Sequence, residues 1–96
     1  MPRGPDGQMI DGDIAVQTKA VMDRLHATLD EANCTFEDVV KCVAWLAHAE
    51  DSKIFNKIYA SYFEGAPPAQ SAVRSYLLLP GARLELEAIC YKPVAT

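Results

Sequence analysis

The order of apolar periodicities along this chain predicts an α+β domain: helix, strand, helix, strand, strand, with both helices packed on one face of a sheet. Three observations carry this. A stripe at three- and four-residue spacing runs from Ile14 to Ala32, a β-branched and aromatic run occupies Val39 to His48, and two further strand-like runs flank Pro80-Gly81. Ninety-six residues are read as one domain spanning 1–96. A chain this short buries a modest share of its surface, so partners would add to its stability.

Residues 1–12, rich in Pro, Gly and Asp, read as an irregular lead-in. Asp13 is placed to cap the first helix, whose stripe is Ile14, Thr18, Val21, Leu25, Leu29 and Ala32, with Thr18 the polar exception. Gln17, Lys19, Asp23 and Arg24 fall mainly outside that stripe. Asn33 suits the left-handed residue that ends a helix, which gives a rod of roughly 30 Å from Asp13 to Ala32. Thr35-Phe36-Glu37-Asp38 has the form of a capped turn, although a capping box prefers Glu or Gln in its last place. Val39 to His48 carries one charge, Lys41, so both faces of that strand are expected to be buried. Asp51 or Ser52 caps a second helix with Ile54, Phe55, Ile58, Tyr59 and Tyr62 at helical spacing, and Gly65 with Pro67-Pro68 stops it. Ala72–Leu79 and Ala82–Tyr91 read as a hairpin closed by Pro80-Gly81 in a type II turn, which would set Tyr76 opposite Glu85 and Arg74 opposite Glu87.

Half of the residues are hydrophobic and 23% are charged, the composition of a globular chain. The net charge is −4 with Lys and Arg scattered singly, so a steady nucleic-acid partner is not expected. No run approaches a membrane span and no hydrophobic signal core follows Met1, which makes a cytoplasmic setting the default. Cys34, Cys42 and Cys90 form neither a disulfide framework nor a zinc knuckle and read as buried small residues. His26 and His48 stand far apart without ligands at metal spacing, so no metal is assigned. More apolar strand surface is present than two helices can cover, and a homo-oligomer is the economical way to cover the rest.

Several segments occur together in an informative order. Gly12-Asp13-Ile14-Ala15-Val16-Gln17-Thr18 is followed by Asp38-Val39-Val40-Lys41, then Phe55-Asn56-Lys57-Ile58-Tyr59. Pro67-Pro68-Ala69-Gln70-Ser71-Ala72 comes next, and Leu84-Glu85-Leu86-Glu87-Ala88-Ile89 begins fourteen residues after Gln70. From about Pro2 to Pro93 the chain resembles the RidA/YjgF family of reactive-intermediate enamine/imine deaminases, formerly described as translation-inhibitor or L-PSP endoribonucleases. That family has Pro-Ala-Arg-Ser before an Ile-Glu-Ile-Glu-Ala-Ile-like strand. The resemblance implies a chorismate-mutase-like, RidA-like sheet with two helices on one face, and a homotrimer whose ligand clefts lie at subunit interfaces. It also implies that the family's first strands, with a cleft tyrosine, have no counterpart here. Pro5-Asp6-Gly7 then reads as a mid-chain turn, and an unpaired sheet edge is expected.

By the same resemblance Glu85 is the catalytic candidate, aligned with a glutamate that handles the attacking water in imine hydrolysis. Gln70, Asn56 and Ala72 are the substrate-binding candidates, and no cofactor is implied. Gln70 stands where the family has an arginine that clamps a carboxylate, and an amide supplies donors and an acceptor but no charge. Ala72 stands where some relatives have cysteine, which excludes thiol chemistry there. Arg74 lies about 13 Å along a strand from Gln70, too far to replace the arginine, and reads instead as a partner of Glu85 or Glu87. Tyr76 reads as packing across the hairpin, and Cys90 as core. Three functions follow: deamination of a reactive enamine or imine, or a diverged version on a neutral ligand; a non-catalytic oligomeric module that binds a small molecule or stabilises proteins; and an L-PSP-type endoribonuclease or translation inhibitor.

Overall fold

The computed structural model describes residue 8 and residues 12–63, 65, 67–78 and 80–92. Most of the lead-in predicted over 1–12 lies outside the described residues, as does Leu79 at the predicted end of a strand. Helix α1 (Ile14–Glu31) begins where Asp13 accepts a hydrogen bond from Val16 N at 3.0 Å. It ends at Asn33, whose φ is 57°, with Cys34 N donating to Leu29 O at 2.8 Å and Asn33 N to Asp30 O at 3.1 Å. These two bonds are the paired closure of a Schellman motif and satisfy carbonyls that the helix leaves open.

The predicted stripe is buried at Ile14, Thr18, Val21 and Leu29, and Met22 joins it. Gln17, placed outside the stripe from its polarity, is instead fully buried. Periodicity counts apolar residues, whereas Gln17 is carried inside by its hydrogen bonds. Its Nε2 donates to Gly12 O at 3.2 Å and to Gly81 O at 2.9 Å, and its Oε1 accepts from Arg83 N at 2.7 Å.

The turn Phe36–Asp38 closes the predicted box with Asp in place of Glu: Glu37 N donates to Thr35 Oγ1 and Thr35 N to Asp38 Oδ2. It leads into strand β1 (Val39–Leu46), two residues shorter than predicted. Helix α2 (Ser52–Ser61) follows a short turn at Ala49–Asp51, and Gly65 past its end has φ 75°. Asp51 does not cap α2, because its carboxylate is turned to Arg83. On α2, Phe55 and Tyr59 are buried while Ile54 stays half exposed.

Strand β2 (Ala69–Arg74) lies parallel to β1 and strand β3 (Leu84–Cys90) antiparallel to it on the other side, giving the order β2-β1-β3. The predicted hairpin therefore does not form. The most apolar strand takes the middle, where both of its edges are paired, and α2 supplies the crossover that parallel pairing requires. Gly81 has φ 84°, the value of the glycine place in a type II turn, but the turn sits inside a link over 75–83 that crosses the end of β1. Ser75 N donates to Leu46 O and Ala47 N to Arg83 O, both at 2.9 Å, and these bonds hold the link. Arg74 is opposite Leu46 and Glu87 is opposite Val43, so the predicted Arg74 cross-strand pairing is absent. Tyr76, expected to pack across the hairpin, lies outside any strand and is 95% exposed.

The core joins Cys42, Ala44 and Leu46 of β1 and Leu84 of β3 to Ile14, Met22 and Leu29 of α1 and to Phe55 and Tyr59 of α2. Phe55, Met22 and Leu84 are fully buried, each contributing about 1.5–3 kcal/mol by leaving water. The expected burial of both faces of β1 holds only on the helix side. On the other face Val43 and Trp45 are half buried, and Val73 and Ile89 beside them are about half exposed. Cys42 is buried and Cys34 partly so, but Cys90 is exposed, because it ends an edge strand. Among the described residues the outer edge of β3 has no strand partner.

Candidate functional site

Strand alternation decides where each candidate side chain points. Gln70 pairs with Cys42 and Ala72 with Ala44, and Cys42 and Ala44 are wholly buried against the helices. Gln70 and Ala72 therefore share the helix-side face of β2. Glu85 pairs with Trp45, which alternates with the buried Ala44 and Leu46, so Glu85 is on the open face with Glu87 and Ile89. Two inter-strand spacings and a three-residue offset along β1 separate the Gln70 and Glu85 backbones by about 14 Å. One chain thus holds these two candidates on different faces of different edge strands. Asn56 is exposed on the outer side of α2, in the same helix layer toward which Gln70 points.

The entry to β3 is fixed firmly. Arg83, two residues before Glu85, makes a two-pronged bond to the Asp51 carboxylate, Nε to Oδ2 at 2.9 Å and Nη2 to Oδ1 at 3.1 Å. The bond to Asp51 is the main cause of a raised Arg83 pKa, with the charges of Asp51, Glu50 and Asp13 adding to it. Gln17 holds the Arg83 backbone from the other side. Neither Asp51 nor Gln17 is distinguishable from a surface polar residue by periodicity. The Asp51 partnership spans thirty-two positions of sequence, which no local pattern reveals.

Tyr59, on the apolar stripe of α2, carries another buried polar group. The Tyr59 hydroxyl is buried next to the Cys42 thiol. The two groups are coupled, by hydrogen bonding ahead of charge, although their approach falls outside the geometry of an ordinary hydrogen bond. Burial pushes both the Cys42 thiol and the Tyr59 phenol upward. The Cys90 thiol is also raised, first by burial and then by the other thiols and Asp38, so neither cysteine has the depressed pKa of a poised nucleophile. The Gln70 Nε2 is buried without a partner as well.

A hollow of about 390 Å³ is lined by Phe36, Val39, Tyr62, Phe63 and Pro68 together with Thr35 and Glu37. None of Asn56, Gln70, Ala72 and Glu85 lines it. Among the described residues no three His, Cys, Asp or Glu side chains gather as metal ligands, and His26 and His48 are exposed.

Residues 1–92 match the family described as Endoribonuclease L-PSP. This chain is a member of that family. Among its L-PSP relatives is a RutC family protein of Pyrococcus abyssi, 38% identical over 93 residues, a match covering 96% of this chain and 73% of that protein. A 2-iminobutanoate/2-iminopropanoate deaminase of Rattus norvegicus is 39% identical over 83 residues, covering 86% of this chain and 61% of the relative. The solved structure of a Rid-family protein, YyfA of Yersinia pestis, superposes with a TM-score of 0.87 at 36% identity, covering 93% of this chain and 72% of that one. The RidA-like sheet with its helices on one face is thus the L-PSP fold. No helix among the described residues is long and apolar enough to cross a membrane.

Proposed function

We propose that this RidA-like chain is a cofactor-free hydrolase of reactive imines and enamines, working in the cytoplasm as a homotrimer with its sites between subunits. The observation that carries the reading is the separation of Gln70 from Glu85. They point to opposite faces of the sheet from different edge strands, so a site containing both needs Glu85 of one copy beside the Gln70 edge of another. The apolar open face, with Val43, Trp45, Val73 and Ile89, supplies the contact surface for that assembly. The relatives named as 2-iminobutanoate/2-iminopropanoate deaminases support the choice of chemistry.

In this reading Glu85 accepts a proton from water as its oxygen attacks the C=N carbon, and the π electrons move to nitrogen. The carbon is then tetrahedral. Proton transfer to the nitrogen and collapse of the adduct release ammonia and leave a carbonyl, so one imine and one water give one ketone and one ammonia. Gln70, Asn56 and Ala72 line the substrate side. Without the cation that the family's arginine provides, Gln70 favours a substrate presenting a neutral oxygen over one presenting a carboxylate.

The test is ammonia release from freshly generated imines, 2-iminopropanoate and its amide counterpart, with the parent chain, Glu85→Gln and Gln70→Arg. The parent should prefer the amide, Glu85→Gln should lose about a hundredfold or more in kcat, and Gln70→Arg should shift preference toward the carboxylate. Equal rates for the parent and Glu85→Gln would contradict the assignment. A folded parent that binds the imine amide but releases no ammonia would instead identify a binding module.

A further inference from the structure

The two helices enclose a second hollow, which the chemistry above does not use. Ala15, Val16 and Lys19 of α1 and Ile58, Ser61 and Tyr62 of α2 line a space of about 510 Å³. Val16, Lys19 and Ser61 are exposed, whereas Ile14, Thr18, Phe55 and Tyr59 on the core side of the same helices are buried, so the hollow opens on the outer side of the helix layer. One turn earlier on α2, Ile54 extends the apolar line of Ile58, and Lys57 precedes Ser61 in the same way. Val16 and Ile54 each leave about half of their surface in water. The charge of this strip runs against that of the molecule. The chain carries −4, yet three of its five lysines, Lys19, Lys53 and Lys57, lie in the groove or on the flank of α2 beside it. Among the described residues none of these three has an ion-pair partner. Asp23, one turn beyond Lys19, accepts the Tyr62 O–H at 2.9 Å and ends the basic stretch.

Two packed helices leave a furrow between them that the side-chain ridge of a third helix fits. We propose that this furrow docks an amphipathic helix of a partner protein, which lays an apolar stripe on Val16, Ile54 and Ile58 and sets Asp or Glu beside that stripe against Lys19 and Lys57. The apolar line supplies the buried contact, and the unpaired lysines select an acidic flank over a basic one. A second copy of this chain does not suit the furrow, because a two-fold contact through this face brings the lysines of one copy toward those of the other. An anionic bilayer would meet the lysines but not the hollow, which lies between the helices rather than on a projecting face. The furrow is on the opposite side of the molecule from the open sheet face, so a helix bound there leaves that face free for other copies. Docking here is independent of the imine chemistry proposed above.

The probe is a synthetic stapled helix with leucines at three- and four-residue spacing and glutamates on both flanks of that stripe; its control carries lysines in place of the glutamates. Titrated into the ¹⁵N-labelled intact chain, the glutamate helix should move the backbone amides of Val16, Lys19, Ile54 and Ile58 and leave those of Val43 and Ile89 on the open sheet face in place. Its affinity, read by fluorescence anisotropy, should fall roughly tenfold in Ile54→Asp, a change at a half-exposed position. In the double variant Lys19→Glu, Lys57→Glu it should fall roughly tenfold at low salt, two attractions having become repulsions. The same double variant should gain affinity for the lysine helix, an exchange that loss of folding cannot imitate. Equal affinity of the parent for the two helices, shifts confined to the open sheet face, or no shift at about millimolar probe would overturn the proposal. Binding of the parent to phosphatidylserine vesicles, lost in the double variant and unaccompanied by binding of the glutamate helix, would overturn it in favour of a membrane surface.

Discussion

The polar groups buried around Gln17 and those buried around Tyr59 are built on opposite plans. Every hydrogen-bonding atom of the Gln17 amide has a partner at 2.7 to 3.2 Å, except for capacity that any amide leaves over, and the Arg83–Asp51 pair next to it is satisfied on two prongs. The Tyr59 hydroxyl and Gln70 nitrogen have none. A buried polar group that is fully bonded defines one arrangement of the chain, whereas one left unbonded is costly unless something else engages it. The first cluster therefore fixes one arrangement of the chain, and the second does not.

Breaking the satisfied cluster should cost most. Gln17→Leu leaves Arg83 N, Gly12 O and Gly81 O without their partner; the glycines are exposed and can turn to water, but Arg83 N is less free to do so. The midpoint of urea unfolding should drop by the equivalent of about 2–4 kcal/mol. Asp51→Asn, which keeps the shape but removes the charge, should cost about 1–2 kcal/mol in the same measurement. Arg83 is one-third exposed, and water offsets part of the loss. The smallest effect should have the opposite sign. Thr18 Oγ1 is buried without a partner, so the isosteric Thr18→Val should leave stability unchanged or raise it by up to about 1 kcal/mol. A marked loss in Thr18→Val would show that an unpartnered group can be structural, and would weaken the contrast between the two clusters.

The helices were legible because their signals are local. Asp13, the stripe from Ile14 to Leu29 and Asn33 lie within one stretch of chain, and each does what its chemistry favours. The sheet order was not legible from the residues alone. Pro80-Gly81 makes a turn, but whether its flanking strands pair with each other or with β1 depends on which strand most needs burial on both edges, a competition between distant segments. The position of Gln17 was hidden for the same reason: its partners are Gly81 and Arg83, far along the chain. Of the site, the identities of Gln70, Ala72, Asn56 and Glu85 could be taken from the resemblance, but their placement could not. Only the register of three strands reveals that Gln70 and Glu85 face opposite ways.

That opposition makes subunit mixing the most direct test of the account. Gln70→Ala and Glu85→Ala chains, each inactive alone toward the imine amide, are refolded together and the mixed oligomers confirmed by native mass spectrometry. If the site combines Gln70 of one copy with Glu85 of another, some interfaces in the mixture carry both intact residues, and part of the parental ammonia release should return. Mixed oligomers that remain as silent as either variant would contradict a site shared between copies.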